Sequence, residues 1–182
     1  FSADKADAII STSSGCGASL KRYGEWLEGE ELATPVMDLS HYLVNVLSRH
    51  ALAFNHLPMK VALHTPCTLR QGEDQEQAVV ALLQKIPGLE IVPLSGVPRC
   101  CGAGGSQMLT QPEMADALRD DIVDEIRGTG ADVLISSNLG CAMHLREGLA
   151  QAGIDMPLQH PVQLIAQAMV VKNSSASGMD RL

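Results

Sequence analysis

Short apolar blocks alternate along this chain with longer stretches in which apolar positions recur every three or four residues. Val61-Ala62-Leu63-His64, Leu89-Glu90-Ile91-Val92 and Val133-Leu134-Ile135-Ser136 are brief apolar runs with the character of buried strands, the first stopped by Pro66. Helical patterns lie between them. Residues 74–85 carry Ala78, Val79, Ala81, Leu82 and Leu83 inward, and residues 112–127 repeat Met114, Leu118, Ile122 and Ile126 at a spacing of four. The latter stretch opens with Pro112 and places Glu113 in its first turn, as a helix N-terminus prefers. Further helices are expected over residues 35–50, where Val36, Leu39, Leu43, Val46 and Leu47 keep the i, i+3, i+4 rhythm, from about Ala142, and over residues 161–171. Strands alternating with helices predict parallel βαβ units: an α/β protein, a three-layer α/β sandwich with a mainly parallel sheet.

The chain also matches itself. Residues 6–20 align without gaps on residues 131–145, with seven of the fifteen positions identical. Each copy reads as a short buried strand, a polar turn, a Gly-Cys pair (Gly15-Cys16 and Gly140-Cys141) and then a helix. The second copy has a full upstream part, whereas the first begins almost at Phe1, which is not an initiator. The expectation is an internal duplication whose first half is truncated in this chain. Residues 172–182, rich in Ser and Gly, are expected to form a loose tail.

Composition narrows the function. The 182 residues carry a formal charge of −8, which argues against nucleic acid as a partner, since phosphates demand a basic face. No apolar run is long enough to span a bilayer, and Ala8-Ile9-Ile10 is too short for a signal peptide. Five cysteines without an export signal are expected to be reduced thiols, and grouped thiols are metal ligands or catalysts.

Cys67, the Cys100-Cys101 pair and Cys141 each follow a predicted strand, at the sheet edge where open parallel sheets bind ligands. The segment Gly102-Ala103-Gly104-Gly105 permits the sharp turn that lets adjacent thiolates reach one centre, and lets backbone N–H groups approach it. Four thiolates suit a [4Fe–4S] cluster and equally a tetrahedral zinc; spacing does not separate the two. Ser136, Ser137 and Asn138 stand beside Cys141 as further hydrogen-bonding groups. His144, one helical turn after Cys141, is a candidate additional ligand, proton carrier or simply a satisfied histidine. Cys16 is either a ligand of a second site or a relic of the repeat. His64 reads as a residue behind the ligands or in the core, and His41 and His160, at similar points of the two repeats and each near a helix start, as structural hydrogen-bonding residues. Lys21, Arg22 and Arg146 read as solvated helix faces. Gly15-Cys16-Gly17 is no dinucleotide fingerprint.

Cys67, the Cys100-Cys101-Gly102 triplet and Gly140-Cys141, taken with His64-Thr65-Pro66, Gln111-Pro112-Glu113 and Ala142-Met143-His144-Leu145, resemble the cysteine-rich CCG domain. That domain is duplicated in the cysteine-rich subunit of heterodisulfide reductase and in glycolate oxidase iron–sulfur subunits. The latter are more similar, having His where the wider family has a second cysteine after Cys141. The resemblance implies pseudo-duplicated halves: residues 1–55 as the end of a first CCG half, residues 56–171 as a complete second half, and residues 172–182 as the tail. It further implies metal ligands Cys67, Cys100, Cys101 and Cys141, with Gly102 and Gly140 against the cofactor. The function it implies is electron transfer in a glycolate oxidase-like 2-hydroxy-acid oxidoreductase, from an FAD-containing dehydrogenase subunit towards a quinone-linked acceptor. The location it implies is cytoplasmic, peripheral on the inner face of the membrane through partners. The alternatives are a zinc-bearing docking module of such a complex and a CCG-type thiol–disulfide reductase subunit.

Overall fold

A computed structural model of the chain describes residues 6–26, 34–49, 52–71, 75–94 and 100–170. Its centre is a four-stranded sheet built from β3 (Met59–His64), β4 (Leu89–Pro93), β5 (Val133–Ser136) and β6 (Leu158–Gln159), ordered β4-β3-β5-β6 and parallel throughout. Strand side chains alternate between the two faces. Val61, Leu63, Val133 and Ile135 enter one core with α3 (Leu39–Leu47), α4 (Gln75–Leu83) and α8 (Pro161–Ala168). Ala62 and Leu134 enter the other with α6 (Pro112–Thr129) and α7 (Leu139–Gln151). Helices on both faces make the three-layer α/β sandwich that the alternating pattern predicts.

The chain moves outward from β3 to β4 and then returns to place β5 on the opposite side of β3. This reversal opens a crevice beyond the carboxyl ends of β3 and β5, the ligand position of open α/β sheets. Cys67 and Cys141 follow those two strands.

A second, two-stranded parallel sheet pairs β1 (Ile9–Ser11) with β2 (Val36–Asp38), in the register Ile9↔Val36 to Ser11↔Asp38. It repeats the β5–β6 pairing of Leu134↔Leu158 and Ile135↔Gln159. α1 (Ser14–Lys21) follows β1 as α7 follows β5, and the short α2 (Tyr23–Trp26) comes after α1. α3 follows β2 as α8 follows β6, so the duplication in the sequence is also one of architecture.

Two expectations shift. Residues 36–38 form β2, and the helix expected to include them starts at Leu39, where Asp38 accepts a hydrogen bond from Ser40 N at 2.8 Å. α7 starts at Leu139 rather than near Ala142, which places Gly140 and Cys141 inside its first turn. The helices expected over residues 74–85 and 161–171 run over Gln75–Leu83 and Pro161–Ala168. Asp74, Val171 and the expected tail at 172–182 lie outside the described residues. His160 caps α8, accepting from Val162 N at 3.2 Å, and its positional counterpart in the first copy is the cap Asp38 rather than His41.

Candidate metal centre

Each cysteine owes its place to a local feature. After β3, Pro66 breaks the ladder, and its carbonyl accepts from Leu69 N at 3.0 Å, closing a turn that carries Cys67. Leu69, almost wholly buried, begins a 3-10 turn (Leu69–Gln71) and pins that loop to the core. Gly102 follows Cys101 with φ of +82°, and a Cβ there would lie 2.1 Å from the Ala115 carbonyl oxygen. Only glycine lets this turn press against α6. Gly104 and Gly105 continue it in the left-handed region, leading into α5 (Gln107–Thr110). Cys141 stands in the first turn of α7, its N–H donated to Asn138 Oδ1 at 3.3 Å. Cys16 stands in the first turn of α1, whose N-cap residue Ser13 makes no side-chain capping hydrogen bond.

These segments converge. All five cysteines line one cavity of about 790 Å³, together with Gly104, Gly105, Asn138, Gly140 and Met143. Cys101 and Cys141 form the buried wall, with their Sγ atoms 2.7 Å apart. Cys100 is half-buried, and Cys67 and Cys16 are exposed at the open side. A polar network ties three of the cysteine-bearing segments together: Ser14 Oγ is 2.8 Å from Thr68 Oγ1, and Asn138 Nδ2 donates to both, at 3.2 and 3.4 Å. Ser14 N also donates to Ser137 O at 3.1 Å.

The electrostatics of the thiols follow from this crowding. The two thiols share a hydrogen bond in which Cys141 donates once Cys101 is a thiolate, and this holds Cys101 down at about 7 against the desolvation of its site. The same contact, followed by burial, raises Cys141. The pair thus keeps one proton as the other leaves. Cys67 is raised by burial and then by its thiol neighbours Cys100 and Cys101. The N-terminal turn of α7 favours the thiolate form of Cys141, the form that would bind a metal.

The donor set fits a thiophilic metal or a metal–sulfur group. Thiols from separate segments meet in one cavity, and behind Cys101 and Cys141 the buried His64 Nε2 lacks a partner among the described residues. A ring nitrogen of His64 lies within 4.8 Å of the Sγ atoms of both Cys101 and Cys141. His64 is held well below the usual imidazole range, at about 4, by burial and then by the charge of Arg70.

The remaining candidates divide. Gly140 lines the cavity; Gly102 does not, its contact being the backbone of α6. His144 is buried, and its Nε2–H donates to the Ala115 carbonyl at 3.1 Å, so it ties α7 to α6 rather than lining the cavity. Ser136 Oγ lies 3.1 Å from His64 Nδ1, and the Asn138 amide is engaged by Ser14 and Thr68 rather than by a cysteine sulfur. The Ser14–Thr68–Asn138 network is not legible in the sequence, because its members are distant along the chain: Ser14 and Asn138 fall in separate copies of the strand-to-cysteine motif and Thr68 in neither.

Residues 61–146 match the family model for the CCG cysteine-rich domain. The chain is 31% identical to the glycolate oxidase iron–sulfur subunit of Escherichia coli (strain K12), over 90% of its own length and 40% of that protein. It is 31% identical to lactate utilization protein A of Shouchella clausii, over 88% of its own length and 70% of the relative. It is 30% identical to a subunit of the fumarate reductase (CoM/CoB) of Methanothermobacter marburgensis, over 89% of its own length and 32% of that relative.

Proposed function

The chain belongs to the CCG cysteine-rich-domain family that includes lactate utilization protein A, and on that premise we propose that it is an iron–sulfur electron-transfer unit of a 2-hydroxy-acid oxidoreductase. Cys67, Cys100, Cys101 and Cys141 hold a metal–sulfur group, which we read as a [4Fe–4S] cluster. The observation that carries the reading is the convergence of these thiols on one cavity at the carboxyl ends of parallel strands, with buried sulfurs on one side and exposed ones on the other. Bound there, such a group supplies one-electron oxidation and reduction.

The chain's own residues do the rest. Cys101, Ala103 and Cys141, all buried, exclude water from the inner wall. Gly104 and Gly105 bring backbone close to the cavity, where N–H groups stabilise negative charge on sulfur. Leu139 and Met143 line the same cavity yet are 67% and 57% exposed, so an apolar rim surrounds the open side. That rim lets a partner subunit approach closely, which short-range electron transfer requires. The partner we propose is an FAD-containing dehydrogenase subunit, with a quinone-linked acceptor downstream and a site of action on the cytoplasmic side of a membrane. No helix among the described residues is long and apolar enough to cross a membrane; the attachment we propose is through other subunits. We read residues 56–171 as the CCG half that holds the group and residues 1–55 as the end of a preceding half.

The test is electron transfer itself. The chain is loaded anaerobically and mixed with a 2-hydroxy-acid-oxidising flavoprotein from the same genome and its substrate. The proposal expects substrate-dependent bleaching of the visible iron–sulfur absorbance. A loaded chain that stays oxidised while the flavoprotein is reduced contradicts it.

A further inference from the structure

We propose that His64, which stands behind the cavity wall beside Cys101 and Cys141, is a fifth protein ligand of the metal–sulfur group in addition to the four cysteines, binding through Nε2. The inference rests on the reading that the cysteines hold a metal–sulfur group.

His64 ends β3, two positions before the proline that breaks the strand and three before Cys67. The residue is 4% exposed. Register pairing across β3 and β5 sets His64 directly opposite Ser136, and His64 Nδ1 lies 3.1 Å from Ser136 Oγ. The other ring nitrogen, Nε2, is fully buried and has no partner among the described residues. A ring nitrogen of His64 is also within 4.8 Å of the sulfurs of Cys101 and Cys141. A buried polar atom without a partner is normally one whose partner is absent, such as an ion or a water. Two ligating thiols beside it favour the ion.

The arrangement matches how imidazole binds metal. A ligating histidine is neutral and binds through one nitrogen, while the N–H of the other donates to an oxygen that fixes the ring. The proposal assigns the tautomer in which Nδ1–H donates to Ser136 Oγ, which leaves the Nε2 lone pair for the metal. Ser136 is then a positioning residue. His144, the histidine nearest Cys141 in sequence, has its Nε2–H engaged by the Ala115 carbonyl and cannot serve through that atom without losing the bond. No proton is released by His64 when it binds, since it is already neutral; the protons lost come from the thiols.

The full chain, labelled with ¹⁵N-histidine, is reconstituted anaerobically with ferrous iron and sulfide and studied by pulsed EPR in its paramagnetic state. The expected result is a nitrogen coupling of the size given by a directly bonded imidazole, which changes with the label, disappears in His64→Ala and persists in His144→Ala. His64→Cys guards against a folding failure. It should keep the iron and sulfide content, lack the nitrogen coupling, and show a lower reduction potential, because thiolate replaces a neutral nitrogen ligand. A loaded chain without histidine coupling, or with a coupling that survives His64→Ala, overturns this inference and leaves the proposed function standing. A chain that takes up no iron and sulfide overturns both.

Discussion

Cys101 Sγ lies 2.7 Å from Cys141 Sγ although the two residues are 40 positions apart in the chain. One reaches this point from a glycine turn locked against α6, the other from the first turn of α7. Their meeting joins two separately built supports at a single wall of the cavity, and it sets the protonation of the thiol pair.

The shared proton gives a titration signature. In the metal-free chain, Cys101 is held at about 7 by the Cys141 donor, so one thiolate should appear near neutral pH. Cys67 and Cys141, both raised, should follow at higher pH. Ultraviolet thiolate absorbance followed against pH checks this. Cys101→Ser should remove the neutral-pH step. Cys141→Ala should shift it upward, because the donor that holds it down is gone.

Two glycines of the same turn should respond differently to alanine. At Gly102 both the positive φ and the approach to Ala115 O oppose a Cβ, so Gly102→Ala should cost about 3 kcal/mol or more and displace Cys101 from Cys141. Gly105 has φ of +67° but no atom within 4 Å of a Cβ, so Gly105→Ala should cost only about 1 kcal/mol. Urea unfolding of the metal-free variants measures the difference, and Gly102→Ala should also lose metal loading.

Acid should weaken the metal-free chain through His64. Its pKa falls from 6.5 to about 4 on folding, chiefly because burial disfavours the charged ring. Between those values the unfolded chain binds more protons than the folded one, so stability is complete above pH 6.5, falls as pH drops, and levels off below about 4. The full effect is roughly 3 kcal/mol. Urea midpoints measured across this range should show the slope, and His64→Asn should flatten it.

Much of this structure is legible in the sequence, for identifiable reasons. β5 spans the expected residues and β3 and β4 extend theirs by one or two positions, because their apolar runs are bounded by proline, glycine or polar turns. β2 and β6, of three and two residues, carry too few positions to display a period of two, and unlike the equally short β1 they lie outside the self-matching segments. In β2, Val36 also happened to fall in step with Leu39 and Leu43, which extended the helical rhythm one element too far. The cysteine positions at the strand ends follow from topology, and topology was readable. The direction of a side chain was not: His144 and His64 are both close to a cysteine in sequence, but one bonds to α6 while the other has a ring nitrogen beside two thiols.

Serine substitutions should separate ligands from neighbours. Cys67→Ser, Cys100→Ser, Cys101→Ser and Cys141→Ser should each lose most of the bound iron. Cys16→Ser, which alters an exposed residue on the rim of the same cavity, should retain it. Iron content after anaerobic reconstitution gives the comparison.

The most direct test of the central claim is the metal and sulfide content of the anaerobically purified chain. A thiolate-ligated [4Fe–4S] cluster predicts about four iron and four acid-labile sulfide per chain. One zinc per chain, with neither iron nor sulfide and no visible colour, contradicts it.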